Sequence, residues 1–430
     1  VTNPTRQTVV HPAWSRDAVI YQVNTRQFTP EGTLAAARDQ LPRLAGLGAR
    51  IVWLMPIHEI GEVNRKGSLG SPYAVKDYYS VSSELGTLAD LRAFVDDAHE
   101  LGLKVILDWV ANHTAWDNPL ATERPELYSR SWDGELTPTP WWDWDDIIDL
   151  DYSAPGMREY MRDAMVHWVR EADVDGFRCD VAGFVPTDFW EDVRDALEQI
   201  KPVFMLAEWE SRELHEKAFD MTYAWSWNST MHEIAHGKAD VEALRVYYAW
   251  NDRAYPREAI RMLFVSNHDK NSWEGTEFEQ FGEALEAAVV LSVVSDGMPL
   301  IYNGQEAGNE RRLEFFERDP ITWREHPMGE LYRRLFALKR ETRALHNGAW
   351  GAPMIEVRTS DPNQVLAFVR DSGQDAVLAV VNLSAVAREV ELRRGPVAGT
   401  WRDLATGEEL DVAPGTTLTL AAWGWRVLTR

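Results

Sequence analysis

One pattern constrains this chain more than any other: short apolar, β-branched runs that alternate with helical segments from near the start to about residue 343. Residues 18–23, 51–55, 104–110, 176–181 and 204–209 are apolar almost without interruption, and 221–225, 261–267 and 299–304 extend the series. Continuous apolar character, rather than alternation, marks strands covered on both faces. Between them, 33–46, 87–101, 154–172, 187–200, 278–294 and 329–343 carry apolar residues at helical spacing, and Gly46 and Gly102 punctuate the first two. Eight strands alternating with helices predict a (β/α)8 TIM barrel. The rival is a doubly wound open sheet, but no glycine-rich phosphate fingerprint follows the first strand.

Two stretches leave the pattern. Residues 113–149 hold Trp116, Trp132, Trp141, Trp142 and Trp144 with several prolines and little periodicity. A loop this long within a compact domain is usually functional. Beyond Trp350 the sequence changes to short alternating strands, 365–370, 376–382, 388–392, 416–421 and 425–428, which predict an antiparallel β-sandwich. The expected organisation is a barrel from residues 1–113 and 150–348, a small insertion at 114–149, and a C-terminal domain at 349–430. With 430 residues, 45% of them hydrophobic, the chain can fill both cores.

Charge narrows the partners. The formal net charge is −24, from 68 acidic and 44 basic side chains, which repels phosphate backbones and anionic lipid. No nucleic-acid or membrane partner is expected, and no apolar stretch reaches the ~18 residues needed to span a bilayer. The single cysteine, Cys179, excludes an intramolecular disulfide framework and reads as a small buried filler. The chain opens at Val1 rather than Met, which tilts the expected location towards secreted or periplasmic over cytoplasmic.

In a barrel of this kind, polar residues at the C-terminal ends of strands are the candidates for chemistry. The third strand ends with Asp108, Asn112 and His113, and the fourth with Arg178 and Asp180. The fifth ends with Glu208, and the seventh with Asn267, His268 and Asp269. A single strand-end Asp can serve as a helix cap; four strands converging on one rim favour a site.

The stretches DWVANH (108–113), GFRCD (176–180), AEWE (207–210) and VSNHD (265–269) resemble the four signature regions of the α-amylase glycoside hydrolase family, in the family's order. GSPYAVKDYY, which ends at Tyr79, resembles its second-strand loop, and GMPLIYNGQE (297–306) its eighth-strand segment. The resemblance implies a retaining α-glycosidase acting on α-glucosidic bonds of starch-derived glucans or malto-oligosaccharides by double displacement. It implies Asp180 as nucleophile, Glu208 as general acid/base and Asp269 as the third carboxylate. Tyr73, His113 and His268 are its sugar-binding residues, and Arg178 and Trp209 join them as expected substrate contacts. It requires no cofactor for chemistry. It also implies a structural Ca²⁺ site between barrel and insertion, with Asn112 and Asp149 as ligands.

Physical chemistry agrees with these roles. Arg178 and Asp180, two apart in one strand, project to one face, so the guanidinium is expected to hold Asp180 ionised. Glu208, beside Trp209, is expected to be desolvated and protonated. Retention predicts carboxyl groups about 5–5.5 Å apart. Trp141, Trp142 and Trp144 are candidate sugar platforms.

The sequence departs from the family in places. Val181–Phe184 stands where many endo-acting members carry Lys-His, and Gly70 where many exo-acting glucosidases carry Asp. Val181 itself resembles members that accept α-1,6 links. Endo or exo action and linkage therefore stay open. A transglycosylase would use the same residues, whereas a non-catalytic carbohydrate-binding barrel would be expected to lack one of the carboxylates.

Overall fold

The computed structural model describes residues 9–430; residues 1–8, which the sequence reading assigns to the barrel segment, lie outside the described residues. Eight parallel strands close on themselves: Ile20–Val23, Ile51–Leu54, Lys104–Trp109, Gly176–Cys179, Phe204–Ala207, Met221–Tyr223, Ile260–Leu263 and Met298–Tyr302. Closure is explicit in the register, with Ile20 opposite Ile51 on one side and Leu300 on the other. An open sheet would leave two edge strands, whereas each of these eight strands pairs on both sides, so the doubly wound alternative is excluded. The continuous apolar runs now have their reason. Ile51, Trp53, Ile106, Leu206 and Met262 fill the barrel interior, while Val52, Leu54, Val105, Leu107 and Phe177 pack outward against the helices.

The helical ring differs from the sequence reading in three places. The segment 33–46 is two helices, Leu34–Arg38 and Leu41–Leu47, because Pro42 enters at the first turn of the second and cannot continue the first. The segment 278–294 breaks into Glu277–Phe281, a 3-10 turn and Leu285–Val294; Gly282 sits at the break with φ +51°. Helices Trp225–Ala235 and Val241–Ala254, between the sixth and seventh strands, are not among those expected from periodicity. Elsewhere local signals hold, as in Leu88–Glu100, where Thr87 and Asp90 form a reciprocal capping box.

The C-terminal part is antiparallel. A six-stranded sheet from Ile355–Glu356 to Trp425–Thr429 and a three-stranded sheet share a core that includes Val380, Val390, Trp401 and Leu428. Arg370, fully buried, binds this domain to the barrel by donating to the carbonyls of Ala352, Ser295 and Val294 at 2.8, 2.6 and 3.3 Å.

Gly176 opens the fourth strand, which carries Arg178 and Asp180. Its φ is +147°, and a Cβ there would lie 1.9 Å from the Phe204 carbonyl oxygen of the neighbouring strand. Backbone strain and overpacking act together at this position. Gly176→Ala is expected to lower stability by about 3 kcal/mol or more, read as a shift in the urea midpoint; an unchanged midpoint would show that the strand pair can relax.

Candidate active site

At the C-terminal rim the fourth strand delivers Arg178 and Asp180 to the barrel axis, as the two-residue period requires. Arg178 is fully buried. Its Nη1 donates to Asp108 and to Asp180, both at 2.8 Å, and its Nε donates to the Tyr223 hydroxyl at 3.1 Å. Nη2 lies 2.9 Å from Glu208 Oε1, an ion-pair contact whose N–H direction departs from a hydrogen-bond line. One guanidinium therefore touches carboxyl groups from the third, fourth and fifth strands, with the rings of Trp53, Tyr73 and Tyr223 5.0–5.7 Å from its centre. Arg178 does not reach the cleft, which corrects its expected role as a substrate contact. Of the carboxyl groups around it, Asp180 and Glu208 line the cleft and stand between it and a ligand.

The carboxyl groups differ in environment. Asp108, wholly enclosed, accepts from Arg178, from the Tyr73 hydroxyl at 2.8 Å and from Trp53 Nε1 at 3.0 Å. Asp180 and Glu208 share the Arg178 guanidinium, Asp180 Oδ1 at 2.8 Å from Nη1 and Glu208 Oε1 at 2.9 Å from Nη2. Burial pushes the Asp180 carboxyl up to about 6, outweighing the downward pull of Arg178 that the sequence reading expects to hold it ionised. Burial also pushes Glu208 up to about 8, aided by the negative charges of Asp180 and Asp269. Near neutrality Asp180 is mostly ionised and Glu208 mostly protonated. Asp269 opens onto the cleft, with 38% of its side chain exposed, yet the surrounding walls push its carboxyl up to about 6.

The backbone after Asp180 is bent to serve Glu208. Val181 sits in the left-handed region (φ +35°, ψ +47°), where a β-branched residue costs about 1–3 kcal/mol. In that conformation its amide donates to Glu208 Oε2 at 2.8 Å. Two residues on, Gly183 leaves room for the Trp209 indole, since a Cβ there would fall 2.1 Å from the ring.

The histidines are neutral by construction. Tyr73 donates its hydroxyl proton to Asp108, so it accepts from His268 Nε2–H at 2.9 Å. His268 Nδ1 is then the acceptor for Gln22 Nε2 at 2.6 Å. Burial and the nearby Arg178 hold His268 well below the usual imidazole range, and burial lowers His113 to about 4. The Tyr73 and His268 rings stack with centroids 5.5 Å apart and planes 18° from parallel.

These groups line one cleft of about 740 Å³: Tyr73, His113, Asp180, Glu208, Trp209, His268 and Asp269 all face it. Of the three candidate tryptophans, Trp142 and Trp144 line it as a stacked pair 4.7 Å apart, whereas Trp141 is fully exposed and does not. Sequence reasoning missed Phe184, Trp273, Phe315 and Phe316, which also line it. Phe184 ends a 3-10 turn and Trp273 sits in a π-helical turn, while Phe315 and Phe316 stand in a loop; segments this short carry no periodicity, and only their aromatic character on rim segments could have signalled them.

Asn112 and Asp149 meet below the insertion but do not fit a calcium ion. The Asn112 amide donates to Asp149 Oδ1 at 3.2 Å, with Thr139 Oγ1 and His113 Nδ1 as its other neighbours at 3.4 and 3.2 Å; Thr139 donates to the same Asp149 oxygen. A side-chain N–H occupies the place where an oxygen ligand would be needed. Among the described residues no group of three or more His, Cys, Asp or Glu is arranged to hold a metal.

A closed (β/α)8 barrel with such carboxyl groups at its C-terminal rim, against a cleft of aromatic rings, has the build of a carbohydrate-cleaving barrel enzyme. The comparisons make the assignment specific: the α-amylase catalytic-domain family matches residues 15–145 and 141–377, and the maltogenic-amylase C-terminal domain matches 355–427. The chain belongs to the α-amylase family of glycoside hydrolases. The α-amylase MalA of Haloarcula japonica is 31% identical over 417 residues, 92% of this chain; the chain spans 59% of that relative's length. A cyclomaltodextrinase of a Bacillus species is 26% identical, over 90% of this chain and 77% of that protein. Among solved structures, the noncanonic maltogenic α-amylase AmyB of Thermotoga neapolitana superposes with a TM-score of 0.87 at 31% identity, covering 96% of this chain and 98% of that one. An α-amylase from Lactobacillus plantarum gives 0.86 at 32%, covering 97% and 100%.

The Asn112–Thr139–Asp149 cluster yields a direct prediction. Dialysis against EDTA is expected to leave the melting temperature unchanged; a large drop restored by added Ca²⁺ would mean that the cluster rearranges around an ion.

Proposed function

We propose that this chain hydrolyses α-glucosidic bonds of short starch-derived glucans with retention of configuration. The observation that carries the reading is the Asp180–Glu208 pair: two adjacent carboxyl groups on one guanidinium, with proton affinities set apart by their surroundings. In the first step the Asp180 carboxylate attacks the anomeric carbon. The glycosidic C–O bond breaks, and the leaving oxygen takes the proton from Glu208. In the second step Glu208, now a carboxylate, removes a proton from water; the water attacks the same carbon and releases Asp180. Asp269 and the neutral His113 serve as partners for sugar hydroxyls, and His268, its ring nitrogens engaged by Tyr73 and Gln22, steadies Tyr73 as the platform beneath the reacting ring. The maltogenic α-amylase and cyclomaltodextrinase relatives support malto-oligosaccharides as the substrate class.

Early products from maltoheptaose are expected to be α-anomers by NMR, before mutarotation; β-anomers would refute double displacement. Asp180→Asn should lower kcat by roughly ten-thousandfold while oligosaccharide binding by calorimetry persists. Glu208→Gln should impair maltoheptaose far more than an activated aryl α-maltoside, because only the poor leaving group needs the proton; equal losses would contradict the acid role.

The pH profile follows from the same pair. Asp180 must be ionised, so kcat/KM rises as pH climbs through about 6; Glu208 must be protonated, so it falls again through about 8. Activity that keeps rising into the alkaline range would contradict the assignment.

A further inference from the structure

Two rim loops on either side of the first strand are joined in a way that the chemistry itself does not require. The loop after the second strand and the loop after the eighth meet above the first strand. Leu69 N donates to the Phe316 carbonyl at 3.1 Å, Ser68 N donates to Glu317 Oε1 at 2.7 Å, and the Ser68 hydroxyl donates to the other Glu317 oxygen. Gly67 allows the approach, because a Cβ there would lie 2.4 Å from Phe316 Cβ. Beneath the junction Arg26, buried just beyond the first strand, grips both loops: Nη1 donates to the Gly70 carbonyl at 2.9 Å and to the Phe315 carbonyl at 3.5 Å. The Glu84 carboxylate anchors the same guanidinium at 3.1 and 3.2 Å.

The junction fixes Phe315 against the catalytic residues. Its ring lies 6.2 Å from that of Tyr73, 11° from parallel, and 6.2 Å from that of His268. Tyr73, His268 and Phe315 are near-parallel with centroids only 5.5–6.2 Å apart in every pairing, closer than the outer rings of a three-ring column with about 3.5–4 Å per contact could be, so Phe315 stands beside the Tyr73 platform rather than over it. Trp273 and Phe316 buttress Phe315 at 5.4 and 5.3 Å. Trp273, Phe315 and Phe316 border both the catalytic cleft and a shallower hollow of about 340 Å³ whose other lining includes Gly67 and Glu317.

Topology says which side of the cleft is walled. In the closed strand order the first strand lies four positions from the fifth in either direction, so the junction stands diametrically opposite Glu208. A general acid faces the leaving group, so the leaving group lies towards Glu208, Trp209 and Phe184, and the glycone towards Tyr73 and Phe315. We propose that the Phe315 wall, clasped by the Ser68–Glu317 junction, ends the glycone side of the cleft and makes this enzyme cut one or two sugar units from free non-reducing chain ends. This rests on the hydrolase reading above.

The test compares maltoheptaose with maltoheptaose carrying a 4,6-O-benzylidene cap on its non-reducing sugar, in wild type, Phe315→Ala and Glu317→Ala. Wild type is expected to favour the uncapped chain by at least about tenfold in kcat/KM and to release glucose or maltose first. Either variant should narrow that preference, Glu317→Ala by loosening the clasp without touching the ring that lines the cleft. Equal rates on capped and uncapped chains in wild type would overturn the wall while leaving the hydrolase reading intact. A wild-type preference that neither variant narrows would also overturn it. No hydrolysis of either glucan would overturn the reading on which the proposal rests, and the proposal with it.

Discussion

The site depends on one buried cation. Arg178 sits inside the barrel with Asp108, Asp180 and Glu208 around it, and a single positive charge cannot sustain three ionised carboxyl groups in so dry a place. A proton must stay, and the hydrogen bonds decide where. Asp108 accepts from Arg178, Tyr73 and Trp53, and Asp180 accepts a hydrogen bond from Arg178. Glu208 has an off-line ion pair and one backbone amide, so it is the group that burial most readily neutralises. Withdrawing a partner from a buried pair costs about 3–5 kcal/mol, which makes the arrangement a structural keystone as well as a chemical one.

The backbone around Arg178 is correspondingly constrained. Gly176 lets the fourth strand press against the fifth, Val181 is held in a left-handed turn that aims its amide at Glu208, and Gly183 clears the space for Trp209. These three positions fall within eight residues of one chain segment. Strain concentrated there is offset by strands whose side chains are buried on both faces, so the reacting groups ride on rigid elements. What varies around them is loop: the insertion supplies Trp142 and Trp144, and the eighth-strand loop supplies Phe315 and Phe316.

Much of this was legible before the structure. Eight apolar runs are visible because strands covered on both faces leave a continuous signal, and a period of two puts Arg178 and Asp180 on one face. Periodicity gives a side chain's direction but not its depth, which is why Arg178 reads as a ligand contact yet lies beneath the cleft. Leu285–Val294 is buried at every residue but Glu286, so it has no polar stripe to mark where it begins after Gly282. The rim aromatics of the eighth-strand loop were hidden for a different reason. Their positions are set by Arg26 and Ser68, 289 and 249 residues away along the chain from their partners in that loop, and no local pattern records such a contact. The Asn112–Asp149 pair shows the converse: the residues were found, but their atoms satisfy one another.

The most direct test of the account is to trap the covalent intermediate. Incubation with a 5-fluoro α-glucosyl fluoride slows both steps and the second more, so the glycosyl-enzyme accumulates for peptide mass spectrometry. The account predicts one added sugar on the peptide that contains Asp180, with the ester on Asp180 itself. An adduct on Glu208 or Asp269, or an active enzyme that turns the reagent over without accumulating any adduct, would contradict it.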